Sequence, residues 1–446
     1  MYLIENTYSK LRYSLVGFLS KKGWIDSHAS YFLTGIMLIA LALAFIHSAI
    51  FQTVNSSNRV DSPWSLAQNL VKGKGLTACN NDYFPFCKNT SQLTAMRGPI
   101  PILLFATAML ISSSPLSGVV IEVLLYLGTL LLIYATLKQF DNRAALLGAL
   151  IWAICLPALR QMADDHGEMS AAFFISLGML FLQKGITDRR MRNWIFSGLS
   201  FGLAALCLPV FLGVAIGLGI GSSLFVTLKL GERRFTLQRL KLGLVFIFAT
   251  ILVVIPWVIR NQIAFGKPVF GTTLIGYNLY RHNSIIEAPN FQPHYVGPTE
   301  ASQEIKTLIK NSQLTGSENE AQMDSFYFAN ALHLILQYPG NYLKLSIYRF
   351  LPLWFDTGVK VAYGQPPDPA DFVVFFMQLV LLITVVIGII RMRNRAWPYV
   401  LAAAMFCGAY MAVDSQQSYL VGIMPMLIIL ASFSLFDLRS STPSLR

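Results

Sequence analysis

The sequence is poor in charge. Asp, Glu, Lys and Arg make up 13% of its 446 residues, where soluble domains carry roughly twice that share. Acids are the scarcer sign: 22 Asp and Glu stand against 34 Lys and Arg, for a formal net charge of +12. Cysteine is sparse, with 5 residues. No internal repeat or low-complexity tract stands out, which leaves no sign of a repeat array or a disordered region. Residues 1–30 carry Lys10, Arg12, Lys21 and Lys22, yet no short apolar core with a small-residue cleavage site follows. That argues against a removable signal, and residues 31–51 read as a retained first helix.

What the chain has instead is apolar surface. Hydrophobic residues make up 54% of it and aromatic ones 13%, and the mean hydropathy is +0.55. Apolar runs near the length that crosses ~30 Å of hydrocarbon recur along it. The fold class expected is an all-α polytopic membrane protein. The net charge invites a nucleic-acid reading, but the bases gather at residues 10–22, 138–143, 184–192, 229–241 and 391–395. These are short loops between hydrophobic spans, where positive charge marks the cytoplasmic side. No nucleic-acid partner is expected.

Spans are expected near residues 31–52, 117–137, 143–160, 169–184, 194–208, 209–229, 241–259, 371–390, 396–413 and 418–437. Ten crossings with the N-terminus inside put all five basic clusters, and the C-terminus, in the cytoplasm. Two shorter apolar stretches, 99–112 and 342–355, would break that parity and are expected to lie at the interface or to re-enter. Three regions follow. An N-terminal transmembrane module, 1–260, carries a first outer loop at 53–116; a large, partly helical extracytoplasmic loop or cap covers 261–370; C-terminal transmembrane helices fill 371–446.

The first outer loop contains Asp61-Ser-Pro-Trp64-Ser-Leu-Ala67-Gln-Asn-Leu70-Val71-Lys-Gly73-Lys-Gly75. Ser62 suits an N-cap, Pro63 the first helical position, and Gly73 and Gly75 the stop. Trp64, Ala67, Leu70 and Val71 recur at helical spacing. The pattern predicts a short amphipathic helix against the membrane, with Asp61 at its mouth. Such an acid is either an ordinary helix-terminal charge facing water or a catalytic group for a lipid-linked substrate. Cys79 and Cys87 sit in the same loop among turn residues, and an oxidising compartment favours a disulfide between them. A metal site there would need more ligands than the loop offers. Cys155, Cys207 and Cys407 fall in spans as small core residues.

Other acids near the outer face are few: Glu122, then Asp164, Asp165 and Glu168 around His166, then Asp356 and Asp414. The run 163–168 is either polar punctuation between two helices or a site, since a carboxylate pair plus an imidazole can bind a divalent ion or share a proton. Basic residues on this face run against the topology rule: Arg97, Arg260, Arg281, Lys344 and Arg349. Each either snorkels to headgroups or pairs with a phosphate.

Taken in order, these stretches resemble the GT-C glycosyltransferases, integral-membrane enzymes akin to the protein O-mannosyltransferases and the lipid A aminoarabinose transferase. Asp61 with the following Leu-Ala-Gln-Asn-Leu-Val-Lys-Gly-Lys-Gly resembles their first outer loop. Arg97-Gly-Pro-Ile-Pro-Ile-Leu-Leu is similar to their Arg-x-Pro-Leu-x-Pro-like stretch. Pro256-Trp-Val-Ile-Arg-Asn261, Phe265-Gly-Lys-Pro and Gly276-Tyr-Asn-Leu resemble the Pro-Trp-x-x-Arg-Asn, Phe-Gly and Gly-Tyr-Asn-Leu elements of bacterial members. Tyr338-Pro-Gly-Asn-Tyr342 with Arg349 loosely matches their His-Pro-Gly-x-Tyr and Arg pattern, and Tyr419-Leu with Pro425 resembles their Arg-Tyr-x-x-Pro ending. The resemblance covers most of residues 50–430. It departs at Ser62, where many relatives carry Glu, and at Ser418, where they often carry Arg.

The resemblance implies a GT-C-like fold and an inverting transferase of the bacterial inner membrane. It would act on the extracytoplasmic side, with a polyprenyl-phosphate sugar as donor and a lipid, glycan or protein as acceptor. Asp61 would be the general base, with Asp164 and Asp165 as further catalytic carboxylates. Arg260 or Arg349 would meet the charge of the leaving phosphate, with a divalent ion near Asp164 or Asp165. Trp64, Arg97, His166, Glu168, Asn261, Tyr277, Asn278 and Tyr419 complete the expected substrate contacts. Trp64, Tyr277 and Tyr280 either stack on sugar and guide lipid or serve as belt residues.

Three other readings compete. An O-antigen-type polymerase or ligase would depend on outer-loop Arg and His without a first-loop base. A transporter would bury ionisable groups mid-span, and the spans are nearly free of charge. A non-catalytic scaffold leaves the ordered motifs unexplained.

Overall fold

A computed structural model describes residues 22–51, 60–88, 91–162, 167–228, 237–366 and 368–436. The candidates Asp164, Asp165 and His166, and with them the expected metal ligands, lie outside the described residues. Among the described residues there is no strand, only an isolated antiparallel bridge between Thr77 and Leu93.

The chain begins with α1 (Lys22–Phe51), followed in the first outer loop by α2 (Pro63–Val71) and α3 (Pro99–Ile111). Then come α4 (Pro115–Lys138), α5 (Asn142–Ala153), α6 (Leu156–Gln161), α7 (Glu168–Asp188), α8 (Met191–Cys207), α9 (Val210–Leu228) and α10 (Leu237–Phe265). The large loop contributes α11 (Ile275–Asn283), α12 (Pro298–Lys310), α13 (Glu320–Gln337), α14 (Pro339–Tyr348), α15 (Phe350–Phe355) and α16 (Val359–Ala362). Last come α17 (Pro369–Met392), α18 (Trp397–Val413) and α19 (Met424–Ser432).

Among the described residues, every expected span falls largely on helix, but not always on one long helix. Among the described residues, five segments are long and apolar enough to cross a membrane: Ser27–Ser48, Pro115–Lys138, Glu168–Asp188, Leu240–Phe265 and Pro369–Arg395. The expected span 143–160 is instead two pieces, α5 and α6, parted at Ile154 and Cys155 ahead of Pro157. Proline has no N–H to give and disfavours helix in the residue before it, so the break is local chemistry. The expected span 418–437 likewise starts as a 3-10 turn, Gln417–Gly422, before the nine residues of α19.

Two cores organise the molecule. The larger is the helical bundle, where Tyr126, Trp152, Phe201, Phe211, Phe246 and Phe406 are fully buried. In it the Tyr126 hydroxyl donates to the Trp152 carbonyl at 3.0 Å, and the Trp152 indole donates back to the Tyr126 carbonyl at 3.0 Å. Helices with little polarity must be held by close backbone approach: Gly388 of α17 lies so near the Leu430 carbonyl of α19 that a methyl there would overlap it. The smaller core joins the two outer loops. Met323 and Tyr327 of α13 pack with Tyr277 and Tyr280 of α11 and with Phe84 and Met96 of the first loop.

The ends of the bundle differ in character. The Arg143 guanidinium lies over the Phe436 ring at 5.2 Å, so the basic turn 138–143 and the end of the described chain share one end. Asp61, Arg97, Glu168 and Asp414 gather at the opposite end, beneath the large loop.

Candidate functional site

Two cavities meet under the large loop. The first, about 480 Å3, is walled mainly by apolar side chains, among them Leu208, Val210 and Val214 at α9 and Met405, Ala409 and Val413 on α18. The second, about 520 Å3, is polar, and Arg97, Arg160, Arg281 and Lys360 face it together with Asp356 and Asp414. Arg97, Leu274, Asn278, Asp414 and Tyr419 line both. Arg160 and Lys360 are themselves paired with Asp368 and Asp371, so the chamber is polar and not cationic. An apolar trough that opens onto it suits an amphiphile with a hydrocarbon tail and a polar, hydroxyl-rich head.

Arg97 reaches this seam because the chain turns sharply there. Gly98 presses against the carbonyls of Leu206 and Cys207, where any side chain would collide, and Pro99 starts α3 directly after it. Behind Arg97 lies Asp61. The Arg97 guanidinium donates to the Asp61 carboxylate at 2.6 Å and, through Nε, to the Asp61 carbonyl at 3.1 Å. Burial works against the Arg97 charge, but Asp61 more than compensates and raises its pKa. Asp61 is held there by the helix predicted from sequence: Ser62 caps α2 by accepting from the Ser65 amide at 3.1 Å, Pro63 stands first, and Gly73 at φ 75° follows its end.

Asp414 closes the other side of the seam. It stands immediately past α18, its amide bonded to the Tyr410 carbonyl at 2.9 Å. Its carboxylate accepts from the Tyr419 hydroxyl at 2.8 Å and the Tyr295 hydroxyl at 3.3 Å, and His282 Nε2 lies 3.3 Å away. Burial alone would raise the Asp414 carboxyl. His282, Arg281 and the Tyr419 hydrogen bond outweigh it and hold the group well below the usual carboxylate range. Burial pulls His282 below the ordinary imidazole value. Asn278, Arg281 and His282 project together because residues three and four apart share one face of α11.

Residues 97–257 match the family model described as dolichyl-phosphate-mannose-protein mannosyltransferase. The oligosaccharyltransferase AglB from the archaeon Archaeoglobus fulgidus, solved with an inhibitory peptide and a dolichol-phosphate, superposes with a TM-score of 0.53 and 14% identity, over 92% of this chain and 50% of that one. Its apo form gives 0.51 at 14% identity, over 92% and 51%. The chain shares the fold of these oligosaccharyltransferase chains. The resemblance read from the sequence is borne out, as is the reading of a multi-pass all-α membrane protein. ArnT from Cupriavidus metallidurans aligns at 0.38 with 12% identity, over 93% and 78%, a score too low to establish a shared fold by itself. No curated protein matches the chain by sequence. The chain spans about half the length of the AglB chains it matches.

Within this fold, seven residues singled out in the sequence as site candidates reach the cavities: Arg97, Asn278, Asp414 and Tyr419 at the seam, Arg281 and Asp356 in the polar cavity, and Glu168 in the apolar one, where it accepts from Gln161 at 3.1 Å. Asp61 stands one residue back, lining neither cavity directly. Others serve as struts. Arg260 donates to the Thr94 carbonyl at 2.9 Å and the Leu76 carbonyl at 3.4 Å, sandwiched by Trp257 and Phe265. Asn261 is fully buried and donates to the Val269 carbonyl at 3.0 Å. Arg349 donates to the carbonyls of His282, Met411 and Ala412. Trp64 packs on Phe105 beside Gly118, and Tyr277 packs between Tyr83 and Tyr327.

Cys79 and Cys87 form the expected disulfide. Among the described residues no group of three or more His, Cys, Asp or Glu side chains converges as a metal site would. Arg160, Lys360 and His282 escaped the sequence reading. His282 carried a signal, four residues after Asn278 on a short amphipathic helix; Arg160 and Lys360 carried none, since they meet only through the fold.

Proposed function

We propose that this protein is an inverting glycosyltransferase at the outer face of a bacterial cytoplasmic membrane. It takes a sugar from a polyprenyl-phosphate donor and passes it to a hydroxyl of a lipid, glycan or protein acceptor. The observation that carries this reading is the seam at Arg97, where an apolar trough and a polar chamber join. The dolichol-phosphate bound to AglB is an amphiphile of the kind such a seam suits. The isoprenoid tail lies along α9 and α18, and the phosphate meets Arg97.

The donor phosphate draws the Arg97 guanidinium away from Asp61, which then serves as general base. The acceptor oxygen attacks the anomeric carbon from the face opposite the phosphate and gives its proton to the Asp61 carboxylate. The anomeric C–O bond breaks, its electron pair leaves with the polyprenyl phosphate, and Arg97 meets that charge. One displacement inverts the anomeric configuration. Residues 1–260 supply the catalytic module and 261–370 the cap that selects the acceptor. Asp164 and Asp165 as catalytic carboxylates or metal ligands, and His166 as a contact, rest on sequence alone, and no step is routed through a metal.

A photoreactive polyprenyl-phosphate analogue tests the seam. Labelled peptides from residues 207–214 and 405–413, displaced by excess decaprenyl phosphate, are expected. Undisplaced labelling spread over the outward face of α17, around Ile383 and Val386, would contradict the reading.

A further inference from the structure

Apart from Arg97, Asp414 is the one charged side chain among the described residues that lines both cavities. It is nearly buried, 5% exposed. Its surroundings come from four separate stretches of chain. His282 and Arg281 approach from α11, Tyr295 from the large loop, Tyr419 from the 3-10 turn, and Arg349 from between α14 and α15. Gln416 in turn donates to the Tyr295 hydroxyl at 2.8 Å, fixing that phenol toward Asp414. A buried carboxylate is costly unless its charge is matched, and here several donors converge to keep one ionised at the wall of the site.

We infer that Asp414 is a substrate-contacting carboxylate of the transfer reaction: it accepts a hydrogen bond from the donor sugar and stabilises positive charge developing at the anomeric carbon. The inference rests on the transferase reading above. Arg97 and Asp414 are the cation and the anion of the seam, so the phosphate and the sugar ring have opposite charged neighbours across it. Glycosyl transfer passes through an oxocarbenium-like state, and a preorganised negative charge favours that state over the neutral sugar. Asp414 is not the base. Groups that hold a carboxylate ionised also make it a poor proton acceptor, so the base remains Asp61 as proposed above. Tyr295 and His282 act through Asp414 as positioning residues.

The test uses purified full-length protein in lipid nanodiscs, with decaprenyl phosphate as the binding probe and decaprenyl-phosphate mannose, glucose and N-acetylglucosamine as donors. Asp414→Asn should bind decaprenyl phosphate within about threefold of the native protein while kcat falls about a hundredfold, the scale of losing one preorganised electrostatic contact. Asp414→Glu should recover part of that loss, and the acid limb of the pH–rate profile should stay where the native protein has it. A kcat for Asp414→Asn within about threefold of native would overturn the inference. So would loss of decaprenyl phosphate binding by an Asp414→Asn protein that remains folded.

Should Asp414→Asn fail to fold, Tyr295→Phe removes one hydrogen bond to Asp414 from outside the cavities. A fall of about tenfold in kcat with KM held is expected; no change in kcat overturns the inference. A native protein that binds decaprenyl phosphate but consumes no donor, or that binds neither, fails the transferase reading itself, and the inference falls with it.

Discussion

Asp61 and Arg97, 36 positions apart in the chain, are joined by an ion pair of 2.6 Å with the carboxylate side chain 3% exposed. The pair places the acid of the first outer loop one residue behind the cavity wall, with the arginine between it and the ligand space. Removing the cation takes this ion pair from a buried carboxylate. Arg97→Ala is therefore expected to destabilise the protein by about 3–5 kcal/mol, and Arg97→Lys by less. The double variant Asp61→Asn, Arg97→Gln should recover most of that stability, because the two changes are coupled, yet stay inactive. Thermal unfolding in detergent beside a transfer assay checks both parts, and additive losses of stability would contradict the pairing.

Asp324 carries a pH dependence. It caps α11, accepting from the amides of Gly276 at 2.7 Å and Tyr277 at 3.1 Å, and burial pushes it up to about 7 from 3.8. A carboxyl whose folded pKa is raised adds stability below its unfolded value and loses it as pH rises through the folded value. The unfolding temperature of the native protein minus that of Asp324→Asn should thus fall between pH 4 and 8, with most of the change complete just above pH 7. A difference that is flat across that range would show that Asp324 is already ionised throughout.

Arg349 ties three elements together by donating to carbonyls at the ends of α11 and α18 and to Asn283 Oδ1 at 3.1 Å. Arg349→Met removes those donors while filling similar space. Leaving several buried acceptors without their donor should cost more than about 3 kcal/mol. Decaprenyl phosphate binding, measured below the unfolding temperature, should persist, since Arg349 lines neither cavity. Selective loss of that binding at unchanged stability would instead make Arg349 a phosphate ligand.

Local chemistry was legible in the sequence where the signal is local. Ser62, Pro63 and the glycines after Val71 mark α2, Gly98-Pro99 marks the start of α3, and Cys79 and Cys87 lie close enough in one loop to pair. The apolar spans were legible because hydropathy is summed over many residues. Two of them broke where Pro157 and the turn before Pro425 interrupt the helix, signals outweighed by composition. The pairing of His282 and Tyr295 with Asp414, more than a hundred positions along the chain, was not legible, because no local pattern encodes it. Nor was the burial of Arg260 and Arg349: an arginine at an apolar boundary reads alike whether it faces phosphate or a set of carbonyls.

The most direct test of the account is sugar transfer in membranes supplied with radiolabelled polyprenyl-phosphate sugars, comparing the native chain with Asp61→Asn at matched expression. The account predicts that the native chain consumes one donor with inversion at the anomeric carbon and that Asp61→Asn consumes none while remaining folded and inserted. Equal consumption by both would contradict the role of Asp61, and no consumption of any donor by the native chain would contradict the transferase itself.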